Sequence, residues 1–164
     1  MATHAEWRQW FEDHTPKFLL FARQKSRFEA DAQDLVQEAV LEAMQRAHGA
    51  VPPPVALVMA TINRRAIDLA RSDDRRAVRE FKVQEGTREA WFDNEVEIRE
   101  HSQLVQSAMN QLPEIYREVV TLKVWGELTF AEIAESLAIP ANTAASRYRY
   151  GLEELRKLTK EVLA

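Results

Sequence analysis

The side chains best suited to bind another molecule lie near the end of the chain, just after Pro140. Short hydroxyl and amide groups and long guanidinium donors follow within a few positions: Asn142, Thr143, Ser146, Arg147 and Arg149. Short polar groups suit phosphate oxygens, and an arginine can reach base edges or phosphates, so Arg147 is the first candidate for such a contact. A helix that begins here would also favour a phosphate through its free amides. The pattern therefore predicts that a helix beginning here binds DNA. We call these five residues the recognition-helix residues.

Two stretches of opposite charge mark the first half of the chain. Residues 28–45 hold five acidic side chains and no basic one, whereas residues 64–79 hold six arginines and three acids. The net charge of −4 does not by itself announce a nucleic-acid binder. Segregated charge indicates different partners for different faces, although two solvated helix faces are an equally open interpretation.

Composition excludes several classes of function. Without cysteine the chain has no disulfide scaffold, thiolate metal site or cysteine nucleophile. The four histidines are dispersed, and no glycine-rich phosphate loop or serine nucleophile elbow is present. We therefore expect no catalytic residue, no metal and no cofactor. The chain also lacks a membrane-length apolar run and a signal peptide, so we expect a cytoplasmic protein without a membrane partner.

Helical periodicity organises the first half of the chain. Few glycines and prolines leave little room for the turns of a β-protein. Aromatic residues between 7 and 21 suggest one or two short helices, with Pro16 as a break or a first-turn residue. Further helices are predicted over 31–47 and from Val55 toward 79, separated by a stiff loop at 48–54. The pattern weakens from 81 to 100, which is typical of a linker.

The second half predicts four helices, over about 101–111, 114–125, 129–137 and 141–161. Thr129 and Glu132 have the spacing of a capping box, which opens the third of these helices. Only Ala138, Ile139 and Pro140 separate the last two helices, as in a helix-turn-helix. An ordinary helical hairpin with a polar outside face is the alternative.

Five segments, in this order and spacing, resemble the sigma-70 family of RNA polymerase sigma factors, and in particular its small extracytoplasmic-function (ECF) group. They are Asp31–Glu38, Arg65–Asp68, Leu112–Val119, Leu128–Glu135 and Asn142–Arg147. The resemblance covers nearly the full length. It implies an all-α fold of two small helical domains: a region 2 bundle at 1–80, a linker at 81–103, and a region 4 helix-turn-helix domain at 104–164.

The resemblance also implies a function. Such a chain binds core RNA polymerase, directs it to specific promoters and assists promoter melting. Region 2 contacts the β′ coiled coil and the −10 element, and region 4 contacts the β flap and the −35 element. The implied polymerase contacts are Asp34, Gln37 and Glu38. The implied −10 contacts are Asn63, Arg64, Arg65, Arg71, Arg75 and Arg76, and the five recognition-helix residues would contact the −35 element. An anti-sigma factor is a further expected partner, because family members are frequently held by one.

The sequence departs from the family pattern at several of these places. Leu57 and Arg64 stand where the family often has tryptophan and asparagine, and Ala145 stands where it often has lysine. A Pro52–Pro54 run occupies the loop in which the family captures a flipped −10 base, so pocket residues there are not carried over. Tyr148 replaces a common leucine, and we expect it to lie in the core rather than on DNA.

Two other functions stay open at this stage. A self-sufficient helix-turn-helix regulator would bind an operator as a dimer, tightly and without polymerase. A helical adaptor with no role on DNA would keep its activity when Arg147 and Arg149 are alanine. The acidic stretch beside the arginine-rich one favours the initiation factor, since a simple dimeric regulator would not need it.

Overall fold

A computed structural model describes residues 1–77 and 99–163 of the chain. This part consists of helices and their connections, without a strand. The seven helices are α1 (His4–Lys25), α2 (Glu29–Arg46), α3 (Val55–Ala77), α4 (Arg99–Gln111), α5 (Glu114–Val124), α6 (Phe130–Leu137) and α7 (Ala141–Leu163). They divide into two compact units, the first built on α1–α3 and the second on α4–α7. Residues 78–98, and with them most of the predicted linker (81–98 of 81–103), lie outside the described residues.

The first helix is continuous through Pro16, which corrects the expectation that this proline is a break or a first-turn residue of a short helix. α1 runs for 22 residues with Pro16 inside it. A proline in a helix interior removes one backbone hydrogen bond and costs about 3 kcal/mol. Trp10 stacks on His14 and Phe18 across the proline, with ring centroids 5.5 and 5.7 Å away, and Phe18 is fully buried. We attribute the unbroken helix to this packing.

The core of the first unit forms where α1, α2 and α3 pack on one another. The apolar face predicted for α2 is buried, apart from a half-covered Met44. On α3, which packs against α2, Val58, Met59 and Ile62 are each at most 1% exposed. α2 ends in a left-handed turn at His48 and Gly49 (φ 60° and 68°), where the Gly49 amide donates to the Met44 carbonyl. This packing leaves one polar face of α2 and one of α3 outside.

The second unit is centred on α7, which packs against α4 and α5. Gly151 allows the crossing with α5, because a Cβ there would lie 2.8 Å from Val120 Cγ2. Ile133 of α6 and Ala144 of α7 are fully buried. Ala138 takes a left-handed conformation (φ 56°) and the Ile139 amide donates to the Ala134 carbonyl. This turn redirects the chain from α6 into α7.

Candidate nucleic-acid and polymerase interfaces

The start of α7 is placed by the helix before it. The Thr129 hydroxyl accepts from the Glu132 amide at 3.1 Å, and the Glu132 carboxylate accepts from the Thr129 amide at 2.9 Å. Both bonds of the predicted capping box are therefore confirmed, and α6 begins where the sequence indicates. The capped start of α6 and the short turn after this helix fix the direction in which α7 leaves the unit.

The recognition-helix residues divide between an outer face and a flank of α7. Asn142, Ser146 and Arg149 follow each other at four- and three-residue steps, so they share one side of the helix. Asn142 and Arg149 are exposed there, and Ser146 is half-buried. Thr143 and Arg147 are half-buried and lie one step around the helix. Arg149 is thus the outermost guanidinium of the set, although the sequence favoured Arg147.

Aromatic residues border this face. Tyr148, which was expected in the core, is half-buried, and its ring centroid lies 5.6 Å from that of Phe130 on α6. Lys123 Nζ lies 4.6 Å from the same Phe130 ring and donates to the Leu128 carbonyl, which closes the corner between α5 and α6. Tyr150 is 48% exposed, and the Arg149 guanidinium carbon lies 5.2 Å from the centroid of the Tyr150 ring. Tyr150 was not among the predicted site residues, although it adjoins one.

A buried arginine supports the second unit from inside. Arg117 of α5 is only 8% exposed, and its guanidinium donates to the carbonyls of Met109, Asn110 and Leu112. These carbonyls end α4, where backbone acceptors have no partner within the helix. Arg117 therefore ties α5 to the end of α4. Arg117 lies in the Leu112–Val119 segment, which carries part of the family resemblance but no local signal of a buried arginine.

The outer face of α2 presents the predicted polymerase contacts together. Asp34, Gln37 and Glu38 are all exposed on it. Leu41 continues the same stripe at the next three-residue step and is 59% exposed. Sequence reasoning missed Leu41, although an apolar residue seven positions after Asp34 on a polar stripe was a visible signal.

An ion-pair cluster joins α2 to α3. Glu42 Oε2 lies 2.9 Å from Arg65 Nη2, and Glu42 Oε1 pairs with Arg64 and, at 3.0 Å, with Arg46. Arg65 Nη1 also lies 2.9 Å from Glu38 Oε2. The Glu42 side chain is 18% exposed, and the hydrogen bond from Arg64, followed by that from Arg65, lowers its pKa from the ordinary 4.5. Arg64 and Arg65, both predicted to contact DNA, are therefore paired with carboxylates of α2. One of these carboxylates belongs to Glu38, a predicted polymerase contact.

The other predicted −10 residues are more dispersed. Arg71 is exposed on α3. Asn63 is half-buried, and its covered Oδ1 has no hydrogen-bond partner among the described residues. Arg75 and Arg76 lie on α3, but their side chains fall outside the described part. Beside the ion pairs, an open groove of about 380 Å³ runs between the helices, lined by Asp31, Asp34, Leu35, Glu38, Arg65, Asp68 and Leu69.

Two other features are absent from the residues that the structure describes. No three histidine or acidic side chains among them come together so as to hold a metal ion. No helix in the described part has the length and apolar character needed to cross a membrane. The groups that stand out are thus one outer face on each of α2, α3 and α7. Fold and site together define an all-α protein that carries a helix-turn-helix.

Comparison with known proteins gives the family. The model of "Sigma-70 region 2" matches residues 10–76, and the model of "Sigma-70, region 4" matches residues 102–158. The ECF RNA polymerase sigma factor SigL of Mycobacterium tuberculosis is 29% identical, over 94% of this chain and 89% of its own. The ECF sigma factor RpoE of Cereibacter sphaeroides is 28% identical, over 93% and 86%.

The fold has a solved counterpart as well. The sigma factor RpoE of Bartonella quintana, crystallised with the anti-sigma factor NepR, superposes with a TM-score of 0.74 at 18% identity, over 94% of this chain and 96% of that one. The chain belongs to the sigma-70 family of RNA polymerase sigma factors, within the ECF group. It is a transcription initiation factor that binds core RNA polymerase and directs it to specific promoters.

Proposed function

We propose that the chain consists of a region 2 domain at 1–80, a linker at 81–103 and a region 4 domain at 104–164. Polymerase binding and promoter recognition are divided among three faces of these domains, on α2, α3 and α7. The acidic stripe of α2, with Asp34, Gln37 and Glu38, binds the β′ coiled coil of core polymerase. The family resemblance suggests this partner, and the exposed carboxylates favour a basic one because opposite charge speeds encounter and sets register. The exposed Leu41 adds an apolar contact at the end of the stripe.

The outer side of α3 contacts the −10 element through Asn63, Arg64, Arg65, Arg71, Arg75 and Arg76. Arginines there would neutralise phosphates of the separated strand, so binding weakens as salt rises. The outer face of α7 contacts the −35 element through the recognition-helix residues, and its domain also meets the β flap. The chain has no catalytic group of its own in this scheme, acts in the bacterial cytoplasm, and is a candidate for control by an anti-sigma factor.

One observation carries the −35 part of the proposal. Asn142, Ser146 and Arg149 share a face of α7 within three turns of its start, with Arg149 exposed. In helix-turn-helix proteins this part of the second helix enters the major groove, where short polar groups hold phosphates and an arginine reaches a base.

The test is run-off transcription with purified core polymerase and a promoter library, with and without the protein. We expect promoter-specific transcripts only when both are present. Arg149→Ala should lower promoter affinity of the holoenzyme by about 1–3 kcal/mol, which is the value of a good base contact. Arg156→Ala is the matched control, because Arg156 is exposed on the same face about 10 Å further along the axis.

The polymerase face is tested by charge reversal. Asp34→Arg should weaken binding to core polymerase, whereas Glu12→Arg places the same charge change on an exposed position of α1 and should leave it unchanged. Equal effects of the two variants would contradict the assignment of α2. Tight and specific promoter binding by the chain alone would favour an independent regulator instead.

A further inference from the structure

An exposed aromatic ring stands beside the outermost arginine of α7. The side chain of Tyr150 is 48% exposed, so it does not serve as a core residue of the second unit. The guanidinium carbon of Arg149 lies 5.2 Å from the centroid of this ring, which is within the range of a cation–π contact. Tyr150 therefore touches a proposed DNA contact without being one of the recognition-helix residues.

The position of Tyr150 on α7 puts it at the edge of the proposed DNA face. It follows Ser146 by four residues and Arg147 by three, so it lies in one row with both. Consecutive side chains such as Arg149 and Tyr150 leave a helix about 100° apart. Ser146, three positions before Arg149 and four before Tyr150, comes between them around the circumference. The contact thus draws the guanidinium and the ring toward each other over the row of Ser146.

This contact restricts Arg149 without occupying its donors. A cation–π contact uses the positive charge of the guanidinium and does not need its N–H groups. Among the residues that the structure describes, no other side chain pairs with Arg149 or accepts a hydrogen bond from it. Its donors form a planar fork that fits the O6 and N7 acceptors of a guanine in the major groove. The ring thus limits the movement of a long side chain and leaves free the atoms that can bind a base.

We propose that Tyr150 is a positioning residue whose ring holds the Arg149 guanidinium in the orientation in which it binds a guanine of the −35 element. The inference rests on the proposed function of α7 and adds the base that Arg149 contacts. A long side chain loses rotational freedom when it is fixed at an interface. Because the ring already restricts Arg149, less freedom is lost on binding, and the promoter is bound more tightly. The orientation also increases selectivity, since the fork then faces the two acceptors of guanine.

The test uses holoenzyme assembled from the full chain and core polymerase. Anisotropy measures its affinity for a fluorescein-labelled promoter fragment from the run-off library and for variants of that fragment at each −35 base pair. Arg149→Ala should abolish the preference for guanine at one G·C pair. Tyr150→Leu keeps an apolar side chain but removes the ring, and should lower the affinity about two- to fivefold and weaken the preference at that same pair. Loss of selectivity only at A·T pairs would show that the assignment to guanine is wrong.

Tyr150→Phe is the matched variant, because it keeps the ring and removes only the hydroxyl. It should retain the affinity and the guanine preference of the unchanged chain. Both substitutions are at an exposed position, so both variants should fold, and circular dichroism checks their helix content. A loss in Tyr150→Phe as large as that in Tyr150→Leu would mean that the hydroxyl binds DNA directly, which would overturn the proposal.

A double-mutant cycle shows whether Tyr150 acts through Arg149. In the Arg149→Ala background, Tyr150→Leu should have no further effect on promoter affinity. A loss of the same size in both backgrounds would mean that Tyr150 contacts DNA independently, and its positioning role would be refuted. The role would also be refuted if Tyr150→Leu alone left both the affinity and the guanine preference unchanged.

Failure of this inference is distinguishable from failure of the proposed role of α7. If only the inference fails, Arg149→Ala still weakens promoter binding, whereas Tyr150→Leu has no effect or acts independently of Arg149. If α7 does not contact the −35 element, Arg149→Ala itself leaves promoter affinity unchanged.

Discussion

The two helical units hold their candidate DNA-binding arginines in opposite surroundings. In the first unit, Arg64 and Arg65 are paired with carboxylates of α2. In the second, neither Arg147 nor Arg149 is within ion-pair distance of a carboxylate among the residues that the structure describes. The contrast teaches that the helix packed beside an arginine decides whether its guanidinium pairs with a carboxylate. We expect contact with the −10 element to depend on polymerase more strongly than contact with the −35 element.

The largest effect is expected from the arginine that is buried rather than displayed. Arg117→Met removes the donor to three carbonyls at the end of α4 and should destabilise the second unit by about 3 kcal/mol. Urea unfolding followed by circular dichroism measures the loss. Arg156→Met, at an exposed position, is the control and should change stability little. An unchanged unfolding midpoint in Arg117→Met would show that the unit does not need this arginine.

A smaller effect is expected at the proposed polymerase-binding face of α2. Leu41→Ala should weaken binding to core polymerase by about 1 kcal/mol, because the partner buries less apolar surface, and should not lower stability. Leu152→Ala serves as control on α7, where the leucine is 41% exposed. Equilibrium titration of core polymerase with labelled protein gives both affinities. Equal affinities of Leu41→Ala and the unchanged chain would remove Leu41 from the interface.

Both units contain a capping box, which allows a direct comparison of equivalent changes. Thr129→Ala removes the cap of the eight-residue α6 and should cost about 1 kcal/mol. Thr3→Ala removes the matching bond, from the Glu6 amide to the Thr3 hydroxyl, at the start of the 22-residue α1, where fraying of the first turn should make the cost smaller. Thermal unfolding of the two variants measures the difference. A larger loss in Thr3→Ala would contradict this ranking.

The smallest expected effect is a pH dependence in the first unit. Hydrogen bonds from Arg64 and Arg23 lower the pKa of Glu42 and Glu29 below the ordinary 4.5. Their folded pKa values are depressed, so they stabilise the fold above about pH 4.5, and this contribution is lost as pH falls through the folded values. Each contributes about 0.5 kcal/mol, as is usual for partly exposed pairs.

The measurement is the urea midpoint at pH 7 and at successive values below 4.5. The double variant Glu29→Gln, Glu42→Gln should show a smaller fall in midpoint on acidification than the unchanged chain. An identical fall would mean that other carboxylates account for the acid sensitivity.

Local signals in the sequence predicted most of the helices. Thr129 and Glu132 predicted the start of α6, and both bonds are present. The buried side of α2 followed from its apolar spacing. The expectation at Pro16 was wrong because it rested on a local rule about proline. That rule does not take account of the packing of Trp10 against Phe18.

The arrangement of the site was less accessible to sequence reasoning. Glu42 and Arg65 are 23 positions apart on different helices, so no local pattern reveals that they pair. The sequence could place Arg147 and Arg149 on α7, but which of them lies outermost depends on the side that α4 and α5 cover. The bonds from Arg117 to the carbonyls of Met109 and Leu112 likewise join two helices across a turn, which helical periodicity does not show.

The most direct measurement is the affinity of the full chain for a duplex promoter fragment selected from the library, alone and with core polymerase, at fixed salt. The account predicts specific binding only in the presence of polymerase, together with loss of that specificity in Arg149→Ala. Strong, sequence-specific binding by the chain alone, with no association with core polymerase, would contradict it.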